Sequence, residues 1–330
     1  MRASLQVTAR AVALATALLA GHGTGAFAQT DPAATYPSRT IKIVVGFAAG
    51  GGNDIIARII GQKLQDSLHQ SVIIENKVGA GGRLAAEAVM ASPPDGYTLL
   101  VGASGAMSII PAISVRPPYD ALKNFAPISM IASFPLILAV YPSHPAKNVQ
   151  ELVAWMKANP DKSNYATSSS AFTLATELFK LKTGAPATAI PYKSSNESLV
   201  SVIGQQSLLT IADPPPTTPL VKGGQVRALA VTSAARLADL PEVPTMAEAG
   251  VGIDVGLWSG IFAPAGTPPS IVRKLEAEFR KMMQMADVKE KFKAMATPTV
   301  GGTAADFART IDVETKMWGE VGKVANVKLE

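Results

Sequence analysis

The chain has 330 residues, of which 48% are hydrophobic and 17% charged, a composition that is typical of a globular protein and excludes a disordered chain. The formal net charge of +5 is spread along the sequence, without a basic run interleaved with aromatic residues, so nucleic-acid binding is not indicated. The sequence contains no cysteine, which excludes thiol catalysis and thiolate metal sites.

The N-terminal 28 residues have the features of a secretion signal. Arg2 and Arg10 form the basic region, residues 11–20 form a short apolar stretch, and Ala26-Phe27-Ala28 fits the small-residue cleavage rule. The apolar stretch is too short for a membrane anchor. The pattern therefore predicts an exported, periplasmic protein that is cleaved after Ala28. At the other end, Leu329-Glu330 is compatible with native sequence or with a cloning scar.

The mature chain begins with alternating strand and helix patterns. Residues 41–45 predict a buried strand, and a glycine loop and a helix capped by Asp54 follow it. Residues 72–74 predict the next strand, followed by a second glycine loop and another helix, and residues 98–101 predict a third strand. This βαβαβ order predicts a parallel sheet with right-handed crossovers.

The middle of the chain repeats this style, and the C-terminal part is mainly helical. Apolar residues recur at helical spacing over residues 271–283 and 307–321, and the methionines there are expected to fill the core. No linker-like tract divides the chain, so we expect two α/β lobes joined by crossings near residues 129–136 and 233–245. The predicted lobes are residues 29–132 with 246–330, and residues 133–245.

The two glycine loops are candidate anion sites. Residues 47–54 and 79–82 each connect a strand to a helix, where backbone N–H groups are free at the positive end of the helix dipole. Both loops lie at the carboxyl edge of one parallel sheet, where ligands bind. Either loop alone is equally explained as a tight turn. The polar loop 167–170 in an equivalent position favours binding.

Catalytic and cofactor motifs are missing from the sequence. Neither glycine loop has the G-x-G-x-x-G spacing of a dinucleotide site, and no loop carries the Walker G-K-[ST] ending. His69 and His144 lie in turns and are expected to be solvated, and no G-x-S-x-G elbow is present. Carboxylate pairs remain open as an alternative. We therefore predict no catalytic residues, no metal and no cofactor.

Motifs along nearly the whole mature chain resemble one known family. The matching segments are FAAGGGND at 47–54, ENKVGAGG at 75–82, PPDGYT at 93–98, PYK at 191–193, RALAVTS at 227–233, LPEVPT at 240–245 and APAGTP at 263–268. They resemble the Bug family of periplasmic receptors, the solute-binding subunits of tripartite tricarboxylate transporters.

The resemblance implies a two-lobed periplasmic-binding-protein (Venus-flytrap) fold that holds a small organic carboxylate in its cleft. It also implies membrane transporter subunits as partners and a monomeric receptor rather than an enzyme. A sensor accessory for a signalling partner, or an exported hydrolase, is the alternative. The residues expected at the ligand are Phe47, Ala49, Gly50, Gly51, Asn53, Asp54, Gly79, Ala80, Gly81, Arg83, Ser104, Thr167, Ser168, Ser169, Ser170, Thr173 and Asp213.

Several positions depart from the family pattern or leave the ligand open. Ser168 to Ser170 and Thr173 stand where relatives carry glycines and a histidine, and Arg83 stands where a small residue or asparagine is usual. Arg83 is expected either to reach the cleft mouth or to be a solvated helix residue. Asp213 is expected either to face the ligand or to cap a turn. An aliphatic dicarboxylate, an amino or hydroxy acid, and an aromatic acid all remain candidates.

Overall fold

The computed structural model of the protein describes residues 31–295, 297–324 and 326–329. The predicted signal segment and its cleavage site lie outside these residues. Two five-stranded sheets, with helices packed on them, form a mixed α/β architecture. This confirms the predicted fold class. We call the part built on the first sheet lobe 1 and the part built on the second sheet lobe 2.

The sheet of lobe 1 has the strand order β2-β1-β3-β10-β4. Strand β1 pairs in parallel with β2 and β3, whereas β10 is antiparallel to β3 and β4. The predicted βαβαβ unit is therefore confirmed. Its strands and helices are β1 (Ile41–Val45), α1 (Gly52–Leu68), β2 (Val72–Asn76), α2 (Arg83–Met90), β3 (Thr98–Ala103), a π-helical turn (Gly105–Ile109), α3 (Ile110–Ile113), β4 (Phe125–Pro135) and β10 (Gly256–Pro264).

The sheet of lobe 2 has the strand order β7-β6-β8-β5-β9. Strand β6 is parallel to β7 and β8, and β5 is antiparallel to β8 and β9. The elements are β5 (Ile137–Val140), α4 (Val149–Ala158), β6 (Asn164–Thr167), α5 (Ser170–Thr183), β7 (Thr188–Pro191), α6 (Ser195–Ile203), β8 (Leu209–Ala212), α7 (Pro214–Lys222) and β9 (Arg227–Val231).

The chain passes between the lobes at two adjacent places. It enters lobe 2 through Leu136, between β4 and β5, and returns between β9 and β10. Thr232 ties the two passages together, because its hydroxyl accepts from the Leu136 amide at 2.8 Å and donates to the Val255 carbonyl at 2.6 Å. The lobe limits at 132/133 and 245/246 stay a prediction, and each lies near one of these passages.

The C-terminal helices α8 (Pro269–Met282), α9 (Ala286–Ala294) and α10 (Ala304–Val324) close lobe 1. The apolar face of α8 lies in the core through Ile271, Leu275 and Phe279. Met282 and Met283 are buried beside them, as expected of core methionines. In the part of the chain that the structure describes, no helix combines the length and apolar character needed to cross a membrane.

Candidate ligand-binding site

A cleft of about 480 Å³ lies between the two lobes. Lobe 1 contributes the second glycine loop and α3, and lobe 2 contributes the loop between β6 and α5 together with the end of β7. Eight of the residues predicted from the sequence meet in this cleft: Ala80, Gly81, Arg83, Thr167, Ser168, Ser169, Ser170 and Thr173.

The second glycine loop owes its shape to consecutive left-handed residues. The backbone φ angles are 148° at Gly79, 46° at Ala80, 64° at Gly81 and 98° at Gly82. Residues with a Cβ rarely adopt such angles, so glycine is needed for the chain to turn this sharply before α2 begins at Arg83. A Cβ added to Gly81 would lie 3.7 Å from the Ser170 amide nitrogen. The loop therefore lies directly against the amino end of α5.

The β6–α5 loop presents hydroxyl groups at the start of a 14-residue helix. Ser169 is the N-cap of α5 and accepts from the Phe172 amide, and Thr167 Oγ1 lies 3.0 Å from Thr173 Oγ1. Ser168 Oγ is buried and has no hydrogen-bond partner among the described residues. Ser170 Oγ crosses the cleft and donates to the Gly105 carbonyl of lobe 1 at 3.2 Å. The amino ends of α2 and α5 thus approach one another, which favours an anion between them.

Arg83 brings a full positive charge to the same cleft. Its Nε lies 3.4 Å from Glu87 Oε1, which is a weak approach along one helix face. The same Nε is buried and has no hydrogen-bond partner in the described part of the chain. The guanidinium is therefore available to a ligand carboxylate, which it can hold through two parallel hydrogen bonds.

The first glycine loop is built differently from the prediction. Gly51, and not Asp54, is the N-cap of α1, so the expectation that Asp54 caps this helix is wrong. The Asp54 carboxylate instead accepts from the Gly50 amide, from Arg58 and from Asn76. Burial alone would raise the pKa of Asp54, but these hydrogen bonds outweigh it and lower the pKa. Asp54 therefore remains an anion that holds the loop in place.

A second, much smaller cavity of about 10 Å³ separates the first glycine loop from lobe 2. It is lined by four predicted residues, Phe47, Gly51, Asn53 and Asp213, together with Gly52, Phe172, Ser194 and Ser195. Asp213, ahead of α7, is 2% exposed, and its Oδ1 has no hydrogen-bond partner among the described residues. Burial raises the pKa of Asp213 to about 6, and the Ser195 hydroxyl opposes this only in part.

Five predicted residues line neither cavity: Ala49, Gly50, Asp54, Gly79 and Ser104. Ser104 is buried at the start of the π-helical turn, where its hydroxyl accepts from the Trp258 amide at 3.4 Å. Sequence reasoning missed Tyr192 in the cleft and Ser194 in the smaller cavity. Both follow strand β7, and the rule that ligands bind at the carboxyl edge of parallel strands applies to them as well.

His69 and His144 line neither cavity. His69 is exposed, as expected. The expectation that His144 is solvated is wrong, because the residue is 2% exposed and its ring packs edge-on against Tyr141 and Trp155. Burial, with a smaller contribution from Arg227, lowers its pKa. Within residues 31–295, 297–324 and 326–329, no group of three or more His, Asp or Glu side chains is placed to hold a metal ion.

Comparisons with known proteins agree on one family. A family model described as "Tripartite tricarboxylate transporter family receptor" matches residues 56–327. Protein BugT of Bordetella pertussis is 36% identical over 315 residues, which is 93% of this chain and 95% of the relative.

Two solved structures are also similar over most of their length. Rpa4515 of R. palustris with adipate has a TM-score of 0.85 at 35% identity, covering 88% of this chain and 98% of that one. MatC of Rhodopseudomonas palustris with bound malate has a TM-score of 0.84 at 29% identity, covering 87% of this chain and 99% of that one.

Proposed function

Because the chain belongs to the tripartite tricarboxylate transporter receptor family, we propose that it captures a small aliphatic dicarboxylate between its lobes and delivers it to the membrane subunits of such a transporter. The family predicted from the sequence motifs is thereby confirmed. Receptors of this family bind solutes and are not enzymes. We extend this to the chain itself, as a monomer that is exported to the periplasm and cleaved after Ala28.

The observation that carries the proposal is the pair of helix ends that meet in the larger cleft. The second glycine loop precedes α2, and the hydroxyl-rich loop precedes α5. A ligand carboxylate placed between them would receive backbone N–H and hydroxyl hydrogen bonds from both lobes. Lobe closure and binding are then coupled, because the anion needs donors from each side.

Arg83 supports a second carboxylate on the ligand. It lines the same cleft, and its buried Nε lacks a partner in the described residues. The similar proteins Rpa4515 and MatC were solved with adipate and malate, which both carry two carboxylates. We infer that one carboxylate lies at the helix ends and the other pairs with Arg83.

The strength of such a site is sufficient for a receptor. Micromolar binding requires about 8 kcal/mol. A hydrogen bond to a charged group contributes roughly 1.5–3 kcal/mol. A few such bonds to each carboxylate, in a cleft that excludes water, can supply this free energy after the cost of ordering the ligand.

A thermal-shift comparison of adipate with adipamide tests the proposal. A ligand that binds only the folded state raises the melting temperature. We expect adipate to raise it and adipamide, which has the same length but no negative charge, to leave it unchanged. Equal shifts from the acid and the amide would contradict an anion site, and no shift from any aliphatic dicarboxylate tested would overturn the proposed ligand class.

A further inference from the structure

The contact between Asp213 of lobe 2 and the first turn of α1 in lobe 1 has no role in the ligand site described above. We propose that Asp213 is a positioning residue for lobe closure, whose carboxyl docks against Gly52 at the amino end of α1 and seals the first glycine loop. The inference depends on the proposed function only in that closure encloses the ligand. The first loop would then be filled by the protein's own acid, and the ligand carboxylate would be left to the second loop.

The approach at Gly52 is too close for any side chain. A Cβ added to Gly52 would lie 1.8 Å from Asp213 Oδ2, 3.0 Å from Asp213 Cγ and 3.4 Å from Pro215 Cγ. The backbone of Gly52 is not left-handed, so its conformation does not require glycine. Glycine is therefore required at position 52 for space alone, and the side chain that occupies this space is Asp213 of the opposite lobe.

The position of Asp213 also matches the free backbone donors at the start of α1. This helix has 17 residues, and Gly51 provides its N-cap without a side-chain hydrogen bond. The first N–H groups of a helix have no partner within the helix, and a carboxyl oxygen can accept from them whether or not the group is protonated. Asp213 thus supplies to α1, from across the cleft, the carboxyl group that the cap residue of α1 itself lacks.

The described residues that surround Asp213 in the smaller cavity are uncharged. The groups that face it are Gly52 and Asn53 of α1, Phe47 before α1, Phe172 of α5, and Ser194 and Ser195 at the start of α6. The nearby acid on α1, Asp54, is engaged by Arg58 and Asn76. Closure therefore buries a carboxyl group without a cation beside it, which favours the protonated form.

The expected pH dependence follows from this burial. The pKa of Asp213 is raised from 3.8 to about 6 with the lobes in contact, and we take the ordinary value for the open form, where water reaches the group. The closed form then binds the proton more tightly, so closure is favoured as pH falls. Between pH 7.5 and pH 5.5 the ratio of closed to open molecules should rise about fourfold.

Fluorescence energy transfer can measure this ratio without any ligand. The chain has no cysteine, so Lys77→Cys in lobe 1 and Lys182→Cys in lobe 2, both at exposed positions, would be the only labelled sites. In single-molecule measurements we expect the ratio of closed to open molecules to rise fourfold for the parent protein. For Asp213→Asn we expect this ratio to be independent of pH. The surface variant Asp161→Asn is the matched control and should behave as the parent protein.

Two further variants test the contact itself. Gly52→Ala should lower the closed fraction about tenfold or more. Gly302→Ala is the control and should leave the closed fraction unchanged, because a Cβ added there would lie 3.7 Å from Asp306 Cβ, which is an ordinary contact. Adding Asp213→Ala to Gly52→Ala removes the clash and should restore closure. The proposal is overturned if the parent ratio does not change with pH, if Asp213→Asn responds like the parent, or if the double variant closes no better than Gly52→Ala. Because no carboxylate is present, these results are independent of the adipate test of the proposed function.

Discussion

Replacing Arg83 by alanine should weaken the binding of a dicarboxylate and leave a monocarboxylate unaffected. Arg83 lines the cleft, and its nearest acid, Glu87, lies 3.4 Å from its Nε. Glu87 therefore does not occupy all the hydrogen-bond donors of the Arg83 guanidinium, which can pair with the second carboxylate of adipate. Hexanoate has the same carbon chain and lacks that group, so it reports on the rest of the site alone.

The expected magnitude follows from the exposure of the side chain. A hydrogen bond to a charged partner contributes roughly 1.5–3 kcal/mol. The Arg83 side chain is 40% exposed, so water screens the pair and the lower end of this range applies. A loss of about 1.5–2 kcal/mol corresponds to a Kd that is roughly 10- to 30-fold higher. Arg83→Lys keeps the positive charge but lacks the planar guanidinium, so its Kd for adipate should lie between those of the parent protein and of Arg83→Ala.

Isothermal titration calorimetry with adipate and hexanoate on each variant measures this difference. The control is Arg39→Ala, which removes an exposed arginine paired with Asp95 and should leave both affinities unchanged. The reasoning fails if Arg83→Ala weakens adipate and hexanoate equally, or if it weakens neither. In the first case Arg83 would act through the shape of the cleft, and in the second it would be a solvated helix residue.

Three other changes have defined outcomes. Gly81→Val places a branched residue at φ 64° beside the amino end of α5. Calorimetry should therefore show that adipate binding is weakened about tenfold or more. Unchanged affinity would mean that the second glycine loop is only a turn. Gly260→Ala places a Cβ 2.2 Å from Phe307 Cζ in the core, so urea denaturation should show a loss of about 1–3 kcal/mol, and parental stability would contradict this packing. Burial raises the pKa of Glu314 to about 7 despite the hydrogen bond from Trp258. Its contribution to stability is therefore present below about pH 4.5 and is lost as pH rises through 7, and Glu314→Gln should flatten that part of the pH profile; an identical profile would refute the assignment.

The strands and helices were largely predictable because they depend on short periodic patterns. Strand β1 occupies the predicted residues 41–45, and the buried face of α8 follows the predicted spacing. The cap of α1 was not predictable in the same way. Asp54 follows a glycine loop as a cap residue should, but its carboxylate accepts from Asn76, 22 residues further along the chain, in addition to Gly50 and Arg58 nearby. A local rule cannot include such a partner.

The loops that form the larger cleft were predictable because each directly follows a strand in the sequence. The second glycine loop and residues 167–170 each follow a strand of a parallel pair, so the sheet rule places each at a carboxyl edge. Parts of the cleft wall have no such signal. Ile113 of α3 and Leu329 near the chain end line it together, with the Leu329 amide donating to the Ile113 carbonyl at 3.0 Å. More than 200 residues separate this pair, and no periodic pattern connects them.

The two glycine loops have similar composition, yet glycine is required at position 52 of the first loop for a different physical reason than in the second loop. In the second loop glycine permits backbone angles that other residues avoid, as at Gly79 and Gly81. In the first loop Gly50 also has a positive φ, of 83°, but Gly52 has ordinary backbone angles, and its missing side chain makes room for Asp213 of the other lobe. The backbone requirement exists in lobe 1 by itself, whereas the requirement for space at Gly52 arises only when the lobes meet. A substitution in the second loop should therefore act on the shape of the binding site, whereas one at Gly52 should act on the equilibrium between open and closed forms.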